Sequence, residues 1–130
     1  MTTVEGYKGP HVEGQVVYAA DSLYIDPSQD HAFVNVKGVI SVVSGATIGF
    51  NWTGHASLND NTHRIFEKSP DARTADFGNL TVLVRFEVGD PLLKTLGTTN
   101  FVGSGRYLLR NGQMGIEVRI SRVDAPVCED

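Results

Sequence analysis

Carboxylate, lysine, histidine and arginine side chains recur at alternate positions in four stretches of this 130-residue chain, the spacing that puts them on one face of a β-sheet. The set is Asn35 and Lys37; Asn51, Thr53 and His55; Arg85 and Glu87; Glu117 and Arg119. Gathered around a bound molecule, such groups do acid-base chemistry without a cofactor. A carboxylate or imidazole moves the proton, and a cation stabilises the oxyanion that develops. The alternate faces carry Val34, Val36 and Ile40; Ile48, Phe50 and Trp52; Val82, Val84 and Phe86; Met114, Ile116, Val118 and Ile120. Two arrangements are open. In one, the apolar faces form the core and the polar faces meet water, with cross-strand pairs such as Lys37 to Glu87. In the other, some of the polar set lines a cavity in a small barrel, and the apolar faces are covered from outside.

Other chemistries lack their signatures. There is no Gly-x-Ser-x-Gly elbow, no phosphate loop and no His-Glu-x-x-His. Gly103-Ser104-Gly105 lacks the third glycine and the following helix of a dinucleotide loop, so close strand packing explains it better, and nicotinamide or flavin chemistry is not expected. His11, His31, His55 and His63 fall at spacings that match no metal motif, so neither a metal nor another cofactor is expected. The single cysteine, Cys128, has no partner for an internal disulfide and no basic neighbour to activate it. Asn51-Trp52-Thr53 matches a glycosylation sequon by chance.

The elements that must position these residues are short and β-rich. Runs of Val, Ile, Thr and aromatics bounded by Gly, Pro, Asn, Asp or Ser predict strands over Gly14 to Ala20, Ser22 to Ile25, Ala32 to Val43, Thr47 to Ala56, Leu80 to Val88, Phe101 to Leu109 and Met114 to Val123. Ser44-Gly45 and Arg110-Asn111-Gly112 are tight turns, the second suited to the positive backbone angles of a hairpin, so consecutive strands are antiparallel. Between Leu58 and Asn79 the spacing of Leu58, Thr62, Ile65 and Phe66 predicts a short helix followed by a loop over one mouth. Asp90 as cap, Pro91 at the first helical position and Gly97 as a left-handed stop predict a second short helix over Pro91 to Leu96. The expected fold is one all-β domain spanning 1–130, a small closed antiparallel barrel of seven or eight strands with one or two short helices.

Composition narrows the partners. A net charge of -4 and the absence of basic runs interleaved with aromatics argue against nucleic acid. The opening MTTVEGYKGP offers no apolar stretch for export or insertion, so no membrane is expected and a cytoplasmic location is.

The run FEVGDPLLKTLGTTNFVGSGR resembles the C-terminal signature of a bacterial and fungal family of small β-barrels known only as a domain of unknown function. That family reads Phe-Glu-Thr-Gly, a short helix containing Trp-Leu-Asn, and Phe-Val-Gly-x-Gly. Phe86, Glu87, Gly89, Leu96, Phe101, Val102, Gly103 and Gly105 match, while Val88, Thr95 and Gly97 stand where the family has Thr, Trp and Asn. GYKGPHVEGQVV resembles its Gly-Pro strand, and Asp30 to Lys37 resembles its Asp-x-Arg strand, with Asn35 for Asp and Lys37 for Arg. The resemblance implies a barrel similar to allene oxide cyclase with a pocket at one end, and it implies no particular reaction. Relatives carry an extra N-terminal strand or two that this chain, beginning at a Gly-Pro turn, is expected to lack, leaving an edge in need of cover.

With the resemblance added, Glu87 is the first choice of acid or base, because it holds a family motif position and burial beside apolar walls would raise its pKa. Lys37 could hold it ionised or stabilise an oxyanion, and His55 could shuttle the proton. Asn35, Asn51, Arg85, Tyr107 and Arg119 could orient polar groups of a ligand, and Trp52 or Tyr24 could stack on its body. Two functions are expected to compete: a cofactor-independent isomerase or cyclase, extending to a hydratase or hydrolase, acting on a small apolar metabolite, and a carrier of such a metabolite without chemistry. A homodimer is expected if the polar set lines the pocket, since the apolar faces then need a cover.

Overall fold

The structure is a computed structural model that describes residues 1–128. Seven strands form a single antiparallel sheet: β1 (Gly14–Asp21), β2 (Tyr24–Ile25), β3 (His31–Val42), β4 (Thr47–Ser57), β5 (Leu80–Val88), β6 (Asn100–Arg110) and β7 (Gln113–Val123). The order is β1-β3-β4-β5-β6-β7, with β2 beside β1 on the same edge of β3. The all-β antiparallel expectation holds, and the sheet curls into a half-barrel. Among the described residues no ladder joins β7 back to β1.

Local chemistry sets the strand ends. Asn111 and Gly112 take φ of 51° and 75° between the paired residues Arg110 and Gln113, the two positive angles that a right-twisted two-residue hairpin needs. Gly45, at φ 95°, does the same service between β3 and β4.

Two short helices close the ends of the sheet. In α1 (Asp60–Phe66) the Asn59 side chain caps the first turn by accepting from the Thr62 amide at 2.9 Å. The second begins as a 3₁₀ turn at Pro91–Leu93, where Asp90 Oδ1 accepts from the Leu92 amide at 2.9 Å, and continues as α2 (Lys94–Thr98). Gly97 is not the left-handed stop the sequence suggests. It lies inside α2 without a positive φ, and the helix ends at Thr99, whose extended backbone breaks the turn.

The apolar faces pack inward. Ala32, Val34, Val36 and Ile40 of β3, Ile48 and Ala56 of β4, Leu80, Val82, Val84 and Phe86 of β5, and Phe101 and Tyr107 of β6 are all buried. Burying each such aliphatic side chain is worth about 1.5–3 kcal/mol. Phe86 meets Phe101 edge-on at 5.4 Å, and Phe66 of α1 meets Tyr107 at 5.1 Å, so the helix plugs one end of the core. Gly54 is required by a close backbone approach. A Cβ there would sit 1.9 Å from the Thr81 carbonyl oxygen, so β4 and β5 approach each other at a separation that no side chain permits.

Of the two arrangements the sequence leaves open, the structure takes the one in which the polar faces look outward. The cavity arrangement is corrected by the same observation: Ile48, Val82 and Val84, which it would leave needing an outside cover, are core residues. No helix among the described residues is long and apolar enough to cross a membrane.

Candidate functional site

Strand register decides which of the expected residues meet. Lys37 pairs with Asn51, and Asn51 with Arg85, whereas Glu87 pairs with Gly49, whose partner on β3 is Val39. Two strand spacings, about 10 Å, therefore separate Lys37 from Glu87 before their offset along the strands is added. His55 lies six residues along β4 from Gly49, about 20 Å. Glu87, Lys37 and His55 share a face and do not converge. Glu87 is exposed, its side chain lying across Gly49, so the apolar walls expected to surround it are absent.

The remaining residues divide by face. Asn35 and Asn51 are bonded to each other, Asn51 Nδ2 donating to Asn35 Oδ1 at 2.9 Å and to the Val36 carbonyl at 3.0 Å, which fixes the β3–β4 surface. Arg85 and Tyr24 are exposed. Trp52 and Tyr107 point the other way, into the half-barrel. Trp52 is half-buried against the core, and Tyr107 is buried, its hydroxyl pKa pushed up to about 12 by burial and by the Asp21 carboxylate. Neither can reach a ligand on the polar face.

One row of the outer face does form a recess. The ladders set His55 opposite Thr81, Thr81 opposite Ser104, and Ser104 opposite Arg119, so four adjacent strands contribute one residue each. The two inner members are short and the two outer members long. The result is an open groove of about 590 Å³ on the outer face. Thr53, Leu83, Val102 and Ser121 form the next row, and Leu83 and Val102 give the groove an apolar side. At one end Phe33 stands edge-on to the His55 ring with centroids 5.7 Å apart. At the other, the Arg119 guanidinium carbon lies 3.9 Å from the centroid of Phe77, which Arg106 also covers at 4.3 Å. Arg106 reaches the Glu117 carboxylate at 3.4 Å, while no carboxylate among the described residues lies within ion-pair distance of Arg119.

His55 and Arg119 are thus the two expected residues that share a groove. Phe33, Phe77, Thr81, Leu83, Val102 and Ser104 are additions that the sequence reasoning passes over. A signal for some of them is present: Phe33, Leu83 and Val102 are apolar residues at the parity of the polar face, where an exposed sheet alternates to polar.

Two other features have structural explanations. A smaller recess of about 250 Å³ beneath α1 is lined by Asn61, Arg73 and Asn79. Its side-chain NH2 groups are engaged internally, Asn61 Nδ2 donating to the Arg73 carbonyl at 2.8 Å and Asn79 Nδ2 to the Ser57 carbonyl at 2.8 Å, while Asn79 Oδ1 is buried without a hydrogen-bond partner among the described residues. At the turn before β3, Asp26, Asp30 and His31 bring ligand-type atoms within 4.8 Å of one another. There His31 Nδ1 is hydrogen-bonded to Asp30 at 2.6 Å, and Ser28 Oγ donates to the same carboxylate at 2.6 Å, so the turn satisfies its own charges.

Known proteins supply little beyond the family. No curated protein and no solved structure matches the chain. A family model described as protein of unknown function (DUF3237) matches residues 2–123, nearly the whole described chain. The signature around Phe86 to Gly105 and the curled antiparallel sheet agree with that match, and the chain belongs to this family.

Proposed function

We propose that the chain binds a small, mainly apolar metabolite carrying an anionic or hydrogen-bond-accepting group, laid across the outer face of the sheet between His55 and Arg119. The observation that carries this is the row His55–Thr81–Ser104–Arg119 bordered by Leu83 and Val102. A binding groove needs apolar area and a few placed polar groups. Leu83 leaves 64% and Val102 39% of its surface open on the outer face, which is the apolar area. Thr81 and Ser104 offer hydroxyls along the floor. Arg119, resting on Phe77 and without an ion-pair partner among the described residues, offers an oriented guanidinium for a carboxylate.

Binding without chemistry is the function favoured, because the acid-base set expected from the sequence is dispersed. An isomerase or cyclase at the same groove is the second possibility, and a specific residue favours it: His55, whose imidazole is a residue type able to give or take a proton, borders the groove. Such an enzyme would use His55 alone of the three expected catalytic residues.

The test is a set of three matched probes, 4-phenylbutyrate, 4-phenylbutanol and 4-phenylbutylammonium, titrated into the labelled protein and followed by amide chemical shifts. Shifts confined to residues of β4 to β7 around the groove, and lost in Leu83→Asp, are the expected result. Shifts elsewhere, or none with any probe, would remove the groove as the binding site. Preference for the butyrate, abolished by Arg119→Met with the other probes unaffected, tests the anion part separately.

A further inference from the structure

We propose that a second copy of this chain closes the open side of the half-barrel, the free edge of β1 in each copy pairing with the free edge of β7 in the other. The sheet path begins at β1 and ends at β7; Met1 takes the outer backbone groups of Gly14 at the start of β1, and beyond that residue each of the two strands has a ladder on one side only. Unpaired edges are usually protected by lysine, proline or brevity. β1 has eight residues, GQVVYAAD, with no Lys, Arg or Pro and a register shift between Val16 and Tyr18, and β7 has eleven, with Glu117, Arg119 and Arg122 as its only charges and no Pro or Lys. The inner face is open along the same line. Val16, facing inward opposite Ile40, is 52% exposed, and on β7 Met114 is 52% and Ile120 39% exposed, although both belong to the inward parity.

The surface area says how much cover is missing. A compact monomer of this mass exposes about 6,700 Å², whereas this chain exposes 8888 Å². Residues 124–130 account for at most about 1,100 Å² of the difference at the per-residue area of an unfolded chain. More than about 1,000 Å² per chain is left over, and two copies burying that much each fall in the range of obligate homodimers.

A second copy fits better than a foreign partner, because both edges need an antiparallel strand and a copy carries both. In a two-fold pair, β1 to the partner's β7 and β7 to the partner's β1 leaves no edge unsatisfied, whereas a single added strand would move the open edge without removing it. The pairing also bears on the groove. Arg119 and Ser121 lie on β7, the outermost strand, so the partner's β1 would supply the wall now missing beyond them.

Light scattering on the full chain at micromolar concentration is the first measurement, and a mass twice 14.1 kDa is expected. Val16→Lys and Met114→Lys place a charge at each edge on side chains that are half open in the single chain, so each should halve the mass while leaving the far-ultraviolet circular dichroism unchanged. Hydrogen exchange gives an independent readout: outward-facing amides of β1 and β7 should be protected in the parent chain and exchange fast in the variants. A parent mass of 14.1 kDa, a ladder of larger species, or a dimer that survives both lysines would each overturn the proposal. If either variant loses its circular dichroism signal, fast exchange of those amides in the parent chain would overturn it instead.

Discussion

Arg119 lies flat on Phe77, its guanidinium carbon 3.9 Å from the ring centroid, and this contact aims an arginine of the last strand into the outer groove. Phe77 comes from the loop after α1, and Arg106 covers the same ring. The loop is tied down beside β6, where the Ala75 amide donates to the Tyr107 carbonyl at 2.9 Å and the Gly78 amide to the Gly105 carbonyl at 3.2 Å. The ring is therefore a fixed platform.

Phe77→Ala removes that platform and should weaken binding of 4-phenylbutyrate more than of 4-phenylbutanol, since only the acid uses Arg119. Two partly exposed cation–π contacts are worth about 0.5–1 kcal/mol each, so a modest fall in the urea midpoint with an unchanged slope should accompany the loss. Equal weakening of both probes would mean that Phe77 shapes the groove and does not hold the arginine.

Ile48→Ala and Glu87→Gln distinguish the inner face from the outer. Ile48 is fully buried, so its truncation should cost about 2–5 kcal/mol in urea unfolding. Glu87 is exposed without an ion pair among the described residues, so its substitution should stay within about 0.5 kcal/mol and leave probe binding unchanged. A large loss of stability or of binding in Glu87→Gln would restore the glutamate to a buried or functional role.

The strands and turns were legible because their signals are local. Asn111-Gly112, Asp90-Pro91 and the alternation of Val82, Val84 and Phe86 each specify backbone within a few residues. Alternation says which residues share a face and is silent on which face is inside, because both choices satisfy the same period. The sites were harder still. Whether Lys37 meets Glu87 depends on register across β4, which places Asn51 opposite Lys37 and Gly49 opposite Glu87. The Arg119–Phe77 contact joins a loop to a distant strand, and no local pattern encodes it. Gly97 misled for a related reason: the chain after α2 enters β6 directly in an extended conformation, so no left-handed residue is required.

Asp90→Ala tests the capped turn before α2. The carboxylate accepts from the Leu92 amide at 2.9 Å, and the turn it starts seats Leu93 and Leu96 in the core. Loss of a cap of this kind costs about 1 kcal/mol, visible as a lower urea midpoint, and Asp90→Asn should recover most of it. An alanine variant as stable as the parent would show that Pro91 alone sets the turn.

The turn at Asp26 to His31 gives the chain a pH-dependent contact. The hydrogen bond to Asp30 raises the His31 pKa above 6.5, with further help from the Asp26 and Asp30 charges. The Asp30 carboxyl is held below 3.8, first by the Ser28 hydroxyl and then by His31. A raised histidine contributes stability that is complete below its unfolded value of 6.5 and fades as pH rises through the folded value. A lowered carboxyl contributes stability that is present above 3.8 and fades as pH falls through its folded value. The pair therefore acts between those limits, in mildly acidic solution. Nuclear magnetic resonance titration of the His31 ring should give a pKa above 6.5, and Asp30→Asn should bring it down further than Asp26→Asn does, because Asp26 lies 3.8 Å away and acts by charge alone. The stability difference between the parent and Asp30→Asn should shrink as the histidine deprotonates. A His31 titration that ignores Asp30→Asn would mean that the contact does not persist in solution.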